Sequence, residues 1–232
     1  MMKTIGLIGG MSWESSVEYY RLINEGVQAS LGGLHSARSV MFSVDFADIE
    51  LLQREGRWEE AAHSMVKAAQ SLESSGADFI VLCTNTMHKA ADEIQANTRI
   101  PLLHIADATA RRIQAAGLHK VGLLGTRFTM EEAFYKDRLI QEFGLEVIIP
   151  ALPEREIIHR VIYDELVLGK IVQTSKEQYL KIIREMIETG AEGIILGCTE
   201  IGLLVHAEDC PAPLFDTTRI HAEAAVEYAL ST

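Results

Sequence analysis

Short runs that are apolar at nearly every position alternate along this chain with longer stretches whose apolar residues recur every three or four places. The short runs are "TIGLIGG", "RSVMFSVDF", "FIVLCT" and "PLLHIAD", then "KVGLLGT", "EVIIPAL", "GIILGCT" and "PLFDT". A strand apolar on both faces is one that helices cover on both sides. The longer stretches, among them 59–74, 106–116, 131–143 and 176–189, each carry a single apolar stripe and read as amphipathic helices. Several end near a glycine, in "AAGLHK", "EFGLEV" and "ETGAEG", where a helix can close in a left-handed residue. Strands alternating with helices predict an α/β fold with parallel-dominated sheets.

The pattern also repeats. "TIGLIGGMS" aligns with "KVGLLGTRF", placing Ile5 on Val121 at an offset of 121 − 5 = 116. "SSGADFIVLCTNT" aligns with "ETGAEGIILGCTE", placing Gly76 on Gly190 at an offset of 190 − 76 = 114. Two matches in the same order at nearly one spacing predict two similar α/β halves.

The second match decides which polar residues are equivalent. Cys83 falls on Gly197, Thr84 on Cys198, Asn85 on Thr199 and Thr86 on Glu200. Successive side chains on a strand point to opposite faces, so the two thiols at 83 and 198 are not counterparts. Thr84 and Cys198 are. Ligands of open parallel sheets bind beyond the carboxyl ends of the strands, where both segments stand. The N–H groups of the following helix starts are expected to hold a carboxylate there. Two proton carriers on opposite faces of one carbon are what stereochemical inversion requires. A buried cysteine is otherwise a small apolar residue, and Cys83 is read that way.

Composition narrows the possibilities. The net charge of −12, with no basic stripe, argues against nucleic acid or an anionic membrane surface as partner. Three cysteines without metal spacing suit a reducing compartment. The first residues lack the pattern of a signal peptide, and no window approaches the ~18–20 apolar residues of a membrane span. A soluble, cytoplasmic protein is expected. "GLIGG" is not the GxGxxG of a dinucleotide site; Gly9 and Gly10 read as a tight strand-to-helix turn.

With these residues in view, the chain resembles the aspartate/glutamate racemases, the cofactor-independent amino-acid racemases. The resemblance is carried by "IGLIGGMS", "TNTMH", "LLGTRFTM", "GCTE" and "FDTTRIHAEAAV" and spans essentially the whole chain. It implies two pseudo-symmetric, Rossmann-like α/β domains with the active site in the cleft between them. The domains are expected over 1–104, joined by 215–232, and over 105–214. It implies acid/base chemistry without pyridoxal phosphate or metal, a small acidic amino acid as substrate, and a homodimer.

Relatives place a cysteine directly before Asn-Thr; here Thr84 stands before Asn85. The resemblance therefore puts Thr84 in the first acid/base slot and Cys198 in the second. A free thiol has a pKa near ~8.5 that a site can lower, whereas an aliphatic hydroxyl rarely ionises. The pair is expected to be unequal, with Cys198 the base, Thr84 a donor or relay, and the L-isomer preferred. Met11, Ser12, Asn85, Thr86 and Thr199 carry over as substrate contacts. Where some relatives use an arginine, "DFADIELLQREGRW" offers Gln53, with Arg54 also in reach, and Lys170 lies where relatives place another polar contact. Glu200, His88 and Asp216, with His221, stand as supporting residues. Glu200 reads equally as a first-turn carboxylate, His88 as a structural histidine, and Lys170 as a solvated lysine. Two other functions fit: a decarboxylase or cis-trans isomerase of a small dicarboxylate, or a relative that binds amino acids without chemistry.

Overall fold

The computed structural model describes residues 1–231 and carries two four-stranded parallel sheets. The first contains β1 (Ile5–Gly9), β2 (Ser39–Ser43), β3 (Phe79–Leu82) and β4 (Leu102–Leu103) in the order β2-β1-β3-β4. The second contains β5 (Lys120–Gly125), β6 (Glu146–Ile148), β7 (Gly193–Gly197) and β8 (Leu214–Asp216) in the order β6-β5-β7-β8. The same winding occurs twice. Ile5 pairs with Phe79 in one sheet and Val121 with Gly193 in the other. These partners are related by 121 − 5 = 116 and 193 − 79 = 114, the two offsets of the sequence repeat.

The chain forms two compact units, residues 1–105 with 221–232, and residues 106–220. The change-over expected at 214/215 thus lies after residue 220. β8 hydrogen-bonds to β7, with Leu214 opposite Ile194 and Asp216 opposite Leu196, so 214–216 cannot leave the second sheet.

In the first unit the continuous apolar runs are explained by two covered faces. Ile8, Ile80 and Leu82 pack against Met65, Ala69 and Leu72 of the helix Trp58–Ser74. Ile5, Leu7, Phe79, Val81 and Cys83 point the other way, toward Tyr19, Ile23 and Val27 of the helix Trp13–Leu31. Ala222, Ala225 and Ala229 of Thr217–Leu230 complete that layer, their small side chains allowing close approach to the sheet. In the second unit the stripes of Leu152–Asp164 and Gln173–Glu188 bury Ile158, Val161, Tyr179, Ile182 and Met186. The helix expected over 131–143 is Ala133–Phe143, set off from the short helix Arg127–Glu131 before it by Glu132, which is extended at φ −87°, ψ 153°. Among the described residues no helix is long and apolar enough to cross a membrane.

Candidate active site

β1 ends in a turn that only glycine can make. Gly10 has φ +93°, and a side-chain carbon there would lie 2.2 Å from the Val44 carbonyl oxygen. Ser12 then caps the helix Trp13–Leu31, its hydroxyl accepting from the Ser15 N–H at 3.3 Å. Ser16 Oγ accepts from the Gly10 N–H at 2.8 Å and donates to the Ser12 carbonyl at 2.9 Å. Ser15 Oγ donates to that carbonyl and reaches the Cys83 carbonyl at 3.4 Å. The Met11–Ser12 turn is therefore tied to the end of β3 and stands at the positive end of a 19-residue helix. Ser15 and Ser16 were not singled out from the sequence. Two serines on the buried side of an amphipathic helix were the available sign.

At the end of β3 the chain turns sharply. Cys83 N–H extends the ladder to the Ile8 carbonyl at 2.9 Å, and its sulfur is fully buried in the apolar layer on the Val81 side of the sheet. Burial alone pushes this thiol far above its ordinary range, so it stays protonated. Thr84 faces elsewhere and is 8% exposed. Its N–H bonds back to the Leu82 carbonyl at 2.8 Å, and its hydroxyl has no hydrogen-bond partner among the described residues.

Asn85 and Thr86 open a single 3₁₀ segment, Thr86–Ala90, and both are buried. Cys198 is followed by the four-residue helix Ile201–Leu204. The 3₁₀ segment runs directly into the helix Ala91–Ala96, whereas the four-residue helix after Cys198 is too short to build a full macrodipole, so the anion-holding helix start expected there reduces to individual N–H groups. The long helix after Ser12 is the stronger anion-facing end.

His88 is held on both nitrogens. Its Nε2 accepts from the Ile105 N–H at 3.2 Å, so Nδ1 carries the proton and donates to the Thr84 carbonyl at 2.7 Å. With both nitrogens engaged by backbone, it clamps the turn that carries Thr84 rather than relaying protons. His221 is fixed likewise, donating from Nε2 to the Leu103 carbonyl at 2.8 Å and accepting from Tyr19 Oη at 2.9 Å.

Gln53 is buried, its amide 3.2 Å from Met87 Sδ, which places it against the Thr86–Ala90 segment. Arg54 turns to Glu50 at 3.1 Å and is largely exposed, and Arg57 pairs with Glu55 and Glu60. Of Gln53, Arg54 and Arg57, only Gln53 is buried.

In the second unit Cys198 directly follows Gly197, the last residue of β7. Gly197 pairs with Gly125, and a side-chain carbon at Gly197 would lie 2.7 Å from the Leu124 carbonyl. Two glycines in register bring the strand ends together. Cys198 Sγ donates to Glu200 Oε2 at 3.0 Å, and Thr199 Oγ1 donates to the same oxygen at 2.6 Å. Glu200 is 2% exposed.

This geometry reverses one expectation. Burial, then the Glu200 charge, then the bond to Glu200 push the Cys198 thiol well above its ordinary range. The backbone N–H groups of Glu200 and Thr199 pull the other way without winning. The resting group is a thiol with its proton directed at a carboxylate, not a preformed thiolate.

Asp216, at the end of β8, accepts from the N–H groups of Thr218 and Arg219 at 2.9 and 3.2 Å and so caps the last helix. Its other oxygen lies 2.9 Å from where a side chain on Gly202 would begin, beside the Cys198 segment. Lys170 is exposed, following the left-handed Gly169 that closes the 3₁₀ turn Leu166–Leu168.

A model of the Asp/Glu/hydantoin racemase family matches residues 8–225 of this chain. The crystal structure of a presumed Asp/Glu racemase from Yersinia pestis is 56% identical, with a TM-score of 0.93 over 99% of this chain and 100% of that one. An aspartate racemase homologue from Pyrococcus horikoshii OT3 is 35% identical, with a TM-score of 0.85 over 99% of this chain and 100% of its own. RacX of Bacillus subtilis (strain 168), a broad specificity amino-acid racemase, is 27% identical over 180 residues, 75% of this chain and 74% of RacX.

Proposed function

This chain belongs to the Asp/Glu/hydantoin racemase family, and we propose that it racemises aspartate or glutamate, preferring the L-form, by cofactor-independent proton transfer at the α-carbon. The observation that carries this reading is the Cys198 sulfur at a strand end, 3.0 Å from a buried carboxylate that can accept its proton. Glu200 takes the thiol proton, and the N–H groups of Thr199 and Glu200 stabilise the sulfur anion. The thiolate then removes the α-hydrogen, and the hydroxyl of Thr84 relays a proton from solvent to the opposite face, taking one up as it gives one, while the proton held by Glu200 returns to solvent. Met11, Ser12, Asn85, Thr86, Gln53 and Thr199 hold the substrate, with Lys170 as a further contact and Asp216 as support.

An alkoxide is too unstable for Thr84 to serve as an efficient base, so the two directions are unequal. Incubation with L-aspartate in D2O is expected to exchange the α-hydrogen and generate the D-isomer, measured by proton NMR and circular dichroism. D-Aspartate reacts more slowly. Equal rates from both enantiomers would overturn the asymmetry, and binding without exchange would overturn the racemase reading for acidic amino acids.

The raised thiol also predicts a pH profile. Thiolate is the working form, so exchange from L-aspartate rises as pH rises into the alkaline range. Glu200→Gln removes the charge that helps to hold the proton on, which shifts the profile to lower pH. A profile that stays in place or moves upward would show that Glu200 does not govern Cys198.

A further inference from the structure

Among the described residues, three carboxylates bury an oxygen that no protein donor reaches: Glu14, Glu154 and Glu165. Two of them have an electrostatic explanation. Glu14 lies in the first turn of Trp13–Leu31 and Glu154 in the first turn of Leu152–Asp164, where the positive end of a helix favours negative charge. Glu165 has the opposite placement. It is the residue at which Leu152–Asp164 ends, its own N–H still donating to the Val161 carbonyl. The negative end of a helix repels a carboxylate, and a buried carboxylate oxygen without a hydrogen bond is costly. A group kept at such a disadvantage calls for a cationic partner that the chain itself does not supply.

Its position says which partner. Glu165 also opens the 3₁₀ turn Leu166–Leu168, its carbonyl accepting from the N–H groups of Leu168 and Lys170. That turn packs against the helix Ile201–Leu204, which begins three residues after Cys198. Tyr179, fully buried with its hydroxyl donating to the Ile158 carbonyl at 3.0 Å, lies within electrostatic range of both the Cys198 sulfur and the Glu165 carboxylate. Carboxylate and thiol therefore share one neighbourhood within the second unit. An amino acid brings one positive group, and none of the contacts assigned above is an anionic acceptor reserved for it. We propose that Glu165 binds the α-ammonium group of the substrate, its Oε2 accepting an N–H while Cys198 works at the adjacent carbon. This deepens the racemase reading and rests on it. It makes Glu165 the residue that distinguishes an amino acid from the dicarboxylic acid of the same shape.

Succinate, which is aspartate without its ammonium, is the matched probe. Calorimetric titration of the wild-type protein is expected to show L-aspartate binding more tightly than succinate. In Glu165→Gln, which keeps the shape and removes the charge, affinity for L-aspartate should fall about ten- to a hundredfold while that for succinate is unchanged or improves. Glu165→Asp, which retains the charge on a shorter arm, should recover part of the loss. Equal wild-type affinity for the two probes, no change in the variant, or a parallel loss for both would each overturn the assignment. Wild-type preference alone is decisive against it if absent, even should Glu165→Gln not fold. Exchange of the α-hydrogen in D2O reports the racemase reading separately. A protein that prefers L-aspartate through Glu165 but never exchanges keeps this assignment and loses that reading. A protein that exchanges while Glu165→Gln binds normally does the reverse, and one that binds neither probe loses both.

Discussion

Cys198→Ser is expected to lower racemisation of L-aspartate by about a hundred- to ten-thousandfold, the usual contribution of a positioned acid/base group. Serine is nearly the size of cysteine and can still donate to Glu200, so substrate affinity and the melting curve should change little. What disappears is the acidity of the group, and the loss falls on kcat rather than KM. Cys83→Ala is the matched control. That sulfur is fully buried in an apolar layer, so its removal should leave a small cavity, costing about 1–2 kcal/mol of stability, with kcat within about twofold. Circular dichroism with both enantiomers checks the pair. If Cys198→Ser keeps more than a tenth of wild-type turnover, or if Cys83→Ala is the inactive variant, the roles given to the two thiols are wrong.

Gly10→Ala should be the most damaging single methyl group in the first unit. It forces a side chain into a backbone region that L-residues rarely occupy and sets its carbon 2.2 Å from the Val44 carbonyl oxygen and 2.7 Å from the Val44 nitrogen. Neither backbone atom can move freely, because the Val44 N–H is itself bonded to the Gly9 carbonyl at 3.1 Å. A loss of about 3–5 kcal/mol follows, a large share of the stability of an ordinary domain. Gly144→Ala separates the two causes. Gly144 is left-handed at φ 67° with nothing within 4 Å of the added carbon, so only the conformational cost of about 1 kcal/mol remains. Urea denaturation of the two variants beside the wild type measures the difference. Similar small losses for both would mean that the turn after β1 is more compliant than its contacts indicate.

The fold and the equivalence of Thr84 with Cys198 were legible because both depend on local regularities. A strand covered on both faces is apolar throughout, and alternation along it makes a one-residue offset between cysteines meaningful at once. The register Ile5 to Phe79 and Val121 to Gly193 repeats the offsets read from the alignment. Helix termini were less legible: the helix read over 131–143 starts at Ala133, because Glu132 is extended.

The chain order alone thus determined two similar α/β halves and aligned the two candidate proton carriers, Thr84 and Cys198. Tertiary structure decided how those carriers are ionised and supported. Desolvation and a carboxylate two residues away keep the Cys198 proton in place, although the composition of "GCTE" reads equally well as a site that removes it. His88 was separated from a relay by the Ile105 N–H, 17 residues further along, and Glu165 gained meaning only from the end of its helix and the neighbourhood of Tyr179. Hydrophobic periodicity is set by neighbours in the chain, whereas the free energy of a charge is set by every dipole and low-dielectric surface around it. Those arrive from distant segments when the chain folds.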